Sequence, residues 1–142
     1  FYLSVIVGSL LPDIDEPGSY IGRKLPIFSH IFSMFITHRG FTHYLIIPIM
    51  FLIWSYYTKD MSIKIAIYGL ALGIFAHDCG DLLTRGGIKG FFFPFFRKHT
   101  FGLLPKPLRF YTGSIVEFIV VLLLIGINIL LAIQSELLNK LI

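Results

Sequence analysis

Charge is what this chain most lacks. Asp, Glu, Lys and Arg make up 14% of its residues, against about 25% in a typical soluble domain. That shortage excludes an ordinary soluble globule and makes a membrane protein the default class. Cysteine is almost missing as well. Cys79 stands alone, which rules out an internal disulfide and a cysteine-type zinc knuckle. The first residue is Phe1, not methionine, and no signal-peptide pattern follows it. Phe1 to Leu11 is apolar but, at 11 residues, short of the roughly 20 that a helix needs to cross a bilayer. It reads as the end of a truncated first span. No repeat of 20 to 50 residues is visible. The formal charge of +4 bears on topology more than on nucleic acid, and no nucleic-acid partner is expected.

What the chain has instead is apolar surface: 56% of its 142 residues are hydrophobic, and the mean hydropathy is +0.81. The length suits a single domain, residues 1–142. Pro12 should stop or bend the first helix. Asp13 to Ser19 is turn chemistry, with carboxylates that bond nearby backbone N–H groups, then Pro and Gly. Ile27 to Thr37 has apolar residues at helical spacing and suits a short interfacial helix, with Ser29 as a candidate N-cap. Tyr44 to Tyr57 is apolar except for Ser55, and counted from Phe41 it gives 17 residues, near the lower limit for a span. Trp54, Tyr56 and Tyr57 at its far end suit the headgroup level. Ile63 to Ala76 predicts the next helix, continuing through His77 to Leu83. Thr84 to Gly113 holds five glycines, three prolines and six basic residues. Its run Phe91 to Phe96, broken by Pro94, predicts a re-entrant or interfacial loop. Ile115 to Ile133 is the clearest span at 19 residues. The fold class is an all-α membrane protein, a bundle of about four transmembrane helices with the first truncated.

Two spans separate segments 12–43 and 77–113, so both lie on one side of the membrane. Together they carry nine of the twelve Lys and Arg. The positive-inside rule places them in the cytoplasm, giving a multi-pass protein of the cytoplasmic (inner) membrane. The same topology brings three polar clusters to one face: Asp13-Ile14-Asp15, His38-Arg39-Gly40-Phe41-Thr42-His43 and His77-Asp78-Cys79-Gly80-Asp81.

Each cluster has a plain reading and a chemical one. His77 and Asp81 are four apart on a helix and share a face, which suits two ligands of one ion or a helix-end pair in which Asp81 orients His77. Asp78 points about 100° away, as a supporting group or a partner for Arg85. His38 and His43 would diverge by about 140° on a continuous helix, but Gly40 lets the backbone turn so that both can face one point. Alternatively His38 is a solvated loop residue and His43 an imidazole at the headgroup level. Asp13 and Asp15 suit a divalent cation, or one of them a general base, or both a solvated turn. Glu117 sits one turn inside the last span, where an acid is a functional candidate. It also completes a capping box with Ser114. Arg39 and Arg85 suit a phosphate, although cytoplasmic basic residues need no substrate.

Gly8-Ser9-Leu10-Leu11-Pro12-Asp13-Ile14-Asp15, the His38–His43 hexapeptide and His77-Asp78-Cys79-Gly80-Asp81-Leu82-Leu83-Thr84, in that order, resemble the signatures of the inner-membrane metal-dependent hydrolases. Some bacterial members of that group are described as LexA-regulated. The glycine-rich aromatic loop and Thr112-Gly113-Ser114 with Glu117 extend the resemblance over nearly the whole chain. It implies a multi-span helical protein with a metal site, distantly similar to zinc-dependent phospholipase C. Asp13, His38, His43, His77 and Asp81 would be the ligand positions, with Asp15 a further candidate. The expected function is a membrane-embedded hydrolase using one or two divalent ions, zinc by preference, on a phosphoester of a lipid or another membrane-associated substrate. Asp15 or Glu117 would serve as general base and Arg39 would hold the anionic group. Membrane lipids are the expected partners. The alternative is a metal-binding membrane protein without catalysis, either a carrier or a structural or regulatory protein.

Overall fold

The computed structural model describes residues 1–35 and 40–141. The chain is mostly helical. Helix α1 (Tyr2–Leu10) runs into a 3-10 turn at Pro12–Asp15, and the short α2 (Tyr20–Lys24) and α3 (Pro26–Phe35) follow. A second 3-10 turn, Phe41–His43, leads to α4 (Ile46–Tyr57) and α5 (Met61–Leu83). A two-residue antiparallel ladder, β1 (Ile88–Lys89) with β2 (Thr100–Phe101), organises the long connection to α6 (Ile115–Leu141).

Helix α5 is central, with α1 and α4 packed against it. Its start is set by Asp60, whose carboxylate accepts the Ile63 N–H at 2.9 Å, satisfying one of the orphan donors of the first turn. It ends at Thr84, which is extended and whose hydroxyl donates to the Asp81 carbonyl at 2.8 Å. The face toward α1 is built from small residues. A Cβ on Gly73 would fall 2.2 Å from the Val5 carbonyl oxygen, and one on Gly8 would fall 2.4 Å from that of Leu70. The two backbones therefore touch, as small-x-x-x-small faces allow between apolar helices. A second stripe on α5, Ile67, Ala71, Ile74, Asp78 and Leu82, is buried. The Ser55 hydroxyl donates to the Lys64 carbonyl at 3.0 Å and ties α4 to the start of α5.

Several expectations are met and several are corrected. The helix predicted to continue through His77 to Leu83 does so. Helix α3 covers most of the predicted 27–37 segment, but Ser29 lies inside it, buried, rather than at its N-cap. The apolar run from Phe41 does not form one helix of 17 residues. Residues Phe41–His43 make a separate turn and Tyr44 is extended, so α4 keeps 12 residues. Helix α5 is long and apolar enough to cross a membrane; Ile46–Tyr57 is shorter, and within α6 the apolar stretch whose side chains are described is Ile115–Ile127. Four spans are thus not displayed. The Phe91 to Phe96 run lies in turns, tied to the start of α4 by the Leu45 N–H donating to the Phe91 carbonyl at 2.9 Å.

Candidate metal centre

The close contact between α1 and α5 decides where His77 goes. It lies one turn beyond Gly73, on the face that Gly69 and Gly73 present to α1. Its Nδ1 is 2.8 Å from the Ser9 carbonyl oxygen near the end of that helix. A carbonyl only accepts, so Nδ1 carries the proton and Nε2 is left with a lone pair. That Nε2 is buried and has no hydrogen-bond partner. It lies 3.5 Å from Asp13 Oδ1 and 3.9 Å from Asp81 Oδ2.

Asp13 is delivered by the turn that Pro12 starts. The Ser19 hydroxyl fixes this turn, donating to the Asp13 carbonyl at 2.8 Å while accepting the Gly22 N–H at 2.9 Å as the cap of α2. His43 is delivered by the Phe41–His43 turn, closed by its own N–H donating to the Gly40 carbonyl at 3.0 Å. The Thr42 hydroxyl gives its one proton to Asp15 Oδ2 at 2.8 Å and sits 2.9 Å from His43 Nδ1. Toward the imidazole, then, Thr42 can only accept, and His43 also carries its proton on Nδ1. The His43 Nε2 lone pair faces Asp81 Oδ2 at 3.3 Å.

Two imidazole Nε2 atoms and two carboxylate oxygens thus converge. Lone pairs brought this close repel one another, and a proton or a cation among them relieves that repulsion. One donor atom each from Asp13, His43 and His77 lies within 4.8 Å of the others. A tetrahedral zinc site with bonds of about 2.0–2.1 Å has donor–donor edges of about 3.3 Å. The separations of 3.3, 3.5 and 3.9 Å are close to that. Nitrogen and carboxylate donors together suit zinc and similar borderline ions. Exposure runs from 34% for the Asp13 side chain through 18% for His77 to 0% for His43, so the cluster opens on the Asp13 side. The donors fit a divalent cation.

The structure brings together Asp13, His43, His77 and Asp81, and places Asp15 behind Thr42, where it steadies His43. His38 and Arg39 lie outside the described residues. Glu117 is engaged locally: its carboxylate accepts the Gly113 N–H, and its own N–H donates to the Ser114 hydroxyl at 3.3 Å. That is a variant of the capping box at the start of α6, with the carboxylate on the N–H one residue before the Ser114 cap. Asp78 does not pair with Arg85 as one reading of the sequence expected. It is fully buried and neither carboxylate oxygen has a hydrogen-bond partner, while Arg85 bonds to the Arg109 carbonyl and the Tyr111 hydroxyl. Sequence reasoning passed over Thr42, the Ser9 carbonyl and the α1–α5 glycines. The glycines were detectable: Gly69, Gly73 and His77 are spaced four apart on one helix face.

Comparison with known proteins places the chain among membrane proteins. It is 41% identical over 115 residues to a protein described as "Uncharacterized protein YvsG" of Bacillus subtilis (strain 168), covering 80% of this chain and 66% of that one. It is 36% identical over 89 residues to "Inner membrane protein YdjM" of Escherichia coli (strain K12), covering 60% of this chain and 45% of that one, and equally similar to its Shigella flexneri counterpart. The chain therefore spans about two thirds or less of the curated relatives it matches. No solved structure matches it. The family model described as YdjM inner membrane protein matches residues 1–137, and the chain belongs to that inner-membrane family.

Proposed function

We propose that the four converging side chains hold a divalent cation, zinc by the nature of the donors, and that the protein is a membrane-embedded hydrolase of a phosphoester carried by a lipid or another membrane-associated molecule. One observation carries the reading: two imidazoles, each with Nδ1 committed to an oxygen, turn their Nε2 atoms toward the shared Asp81 carboxylate, and His77 also toward Asp13. A zinc ion held there supplies a Lewis acid and brings the pKa of a bound water toward about 7.

The chain's own residues do the rest. Ser9 and Thr42 hold the imidazoles in the tautomer that can bind a cation, and Asp15 steadies Thr42. Asp13, the most exposed of the four, leaves room on its side for a substrate oxygen. Arg39, assigned on sequence alone, would hold the anionic group. An apolar cleft of about 230 Å³ bordered by Pro12, Ile14, Phe41, Thr42 and Ile74 runs beside the cluster and suits the apolar part of an amphiphile. The charge distribution, nine of twelve Lys and Arg on segments 12–43 and 77–113, supports a multi-pass arrangement with the site toward the cytoplasm.

A second reading has support of its own. The donors come from three separate segments, so a bound ion would also lock the end of α1, the Phe41–His43 turn and α5 together, which is what a structural metal does. The test is metal content and phospholipid turnover, measured on purified wild type and on His77→Ala. The hydrolase reading expects one or two ions per chain and turnover in the wild type, with both lost in the variant. Turnover that survives His77→Ala overturns it. Metal loss that unfolds the protein, with no turnover of any phospholipid by the wild type, favours the structural reading.

A further inference from the structure

Past the end of α5 the chain builds a second pair of clefts, on a different side of that helix from the metal cluster. One cleft, of about 330 Å³, is apolar: Phe75, Cys79 and Leu82 of α5 face Phe91, Phe92 and Phe101 across it. Cys79 is two residues from both His77 and Asp81, about 200° around the helix from each. A chain lying in this cleft is therefore not offered to the cluster. The other cleft, of about 470 Å³, is lined by Arg85, Lys98, His99, Thr100, Lys106 and Arg109. It holds four permanent cations and, among the described residues, no carboxylate.

Strand β2 joins the two clefts. Thr100 lines the basic one, Phe101 and Gly102 line the apolar one, and the Arg109 guanidinium lies directly on Gly102, where any Cβ would collide with it. Both arginines are held in place by neutral acceptors. Arg109 donates from Nε to the Leu104 carbonyl at 2.6 Å. Arg85 donates to the Arg109 carbonyl at 3.2 Å and to the Tyr111 hydroxyl at 2.7 Å, with its guanidinium 4.3 Å from the Tyr111 ring centroid. Neutral acceptors fix the geometry but do not offset the charge. Four cations crowded in this way repel one another, and a phosphate between them relieves that repulsion through the forked donors arginine offers.

We propose that this double cleft binds one anionic phospholipid, with its phosphate among Arg85, Lys98, Lys106 and Arg109 and an acyl chain along Phe75, Cys79, Leu82 and Phe92. The chemistry asked for is that of an amphiphile, because an anion site and an apolar slot of ligand size share a wall. An inner-membrane protein meets that amphiphile as the anionic lipid of its own bilayer, and basic pockets beside apolar helices suit such headgroups. The lipid anchors the 84–113 connection to the membrane and is not the substrate. The proposal stands whether or not the cluster binds metal.

The lone cysteine provides the readout, since Cys79 lines the apolar slot. Purified protein in detergent is mixed with phosphatidylglycerol, phosphatidylcholine or glycerol phosphate, and the rate of Cys79 alkylation by a maleimide is followed. Phosphatidylglycerol should slow alkylation on the order of tenfold more than phosphatidylcholine does, since each basic residue favours an anionic headgroup by several-fold. Lys98→Gln/Lys106→Gln removes two surface charges without touching the bonded arginines, and should cut that preference several-fold. Glycerol phosphate alone should not protect. Equal protection by the two lipids, an unchanged preference in the double variant, or protection by glycerol phosphate equal to that of the lipid overturns the proposal.

Discussion

Replacing Gly73 with alanine should weaken metal binding at a site that the new methyl group never touches. The added Cβ would fall 2.2 Å from the Val5 carbonyl oxygen and 2.7 Å from the Ser9 amide nitrogen. A relaxed carbon–oxygen contact is about 3.3 Å or more, so α1 must retreat by about 1 Å. Both atoms belong to backbone, so no side-chain rotation can relieve the clash. The 2.8 Å contact between His77 Nδ1 and the Ser9 carbonyl would lengthen to about 3.8 Å, beyond hydrogen-bonding range. His77 then loses the group that fixes its tautomer. Losing such an orienting partner typically lowers metal affinity about 10- to 100-fold. Overpacking costs about 1–3 kcal/mol, offset by the roughly 1 kcal/mol that alanine gains over glycine inside a helix, so the variant should still fold. Gly80→Ala is the matched control: it lies on the same helix and its Cβ would meet nothing within 4 Å. The assay is zinc competition against a chromophoric chelator. If Gly73→Ala binds zinc as tightly as Gly80→Ala and the wild type, the packing of α1 does not set the site and the reasoning fails.

Two further perturbations separate orientation from capping. Thr42→Val removes the hydroxyl between Asp15 and His43 and should lower zinc affinity about tenfold or more in the same competition assay, while Thr42→Ser should keep it. Glu117→Gln weakens the cap at the start of α6 and should lower the melting temperature, by an amount equivalent to about 0.5–2 kcal/mol, with zinc content unchanged; a loss of zinc would bring Glu117 into the site.

The parts legible in the sequence are those that local chemistry determines. The largely apolar run Ile63 to Ala76 marks α5, and Pro12 marks the end of α1. His77 and Asp81 can be paired from their spacing alone, because a helix turn brings i and i+4 together. The meeting of Asp13, His43 and His77 could be anticipated from topology, since helices joined in series return alternate connections to the same end. The start of α4 was not legible. Hydropathy from Tyr44 to Tyr57 is uniform, and the extended Tyr44 is set by distant contacts such as the Leu45 bond to Phe91. Nor was the role of Asp15, which reads as a ligand or base by type but reaches the site through Thr42, 27 residues away. The Ile88–Lys89 to Thr100–Phe101 ladder escaped for a related reason: neither two-residue strand carries a periodic pattern of its own.

The central claim is that Asp13, His43, His77 and Asp81 share one ion. X-ray absorption at the zinc edge of the purified, zinc-loaded protein tests it most directly. The account expects a first shell of nitrogen and oxygen only, at about 2.0–2.1 Å, with outer-shell scattering from two imidazoles that falls to one in His77→Ala. A zinc bound through sulfur, scattering unchanged by His77→Ala, or no retained metal at all would contradict it.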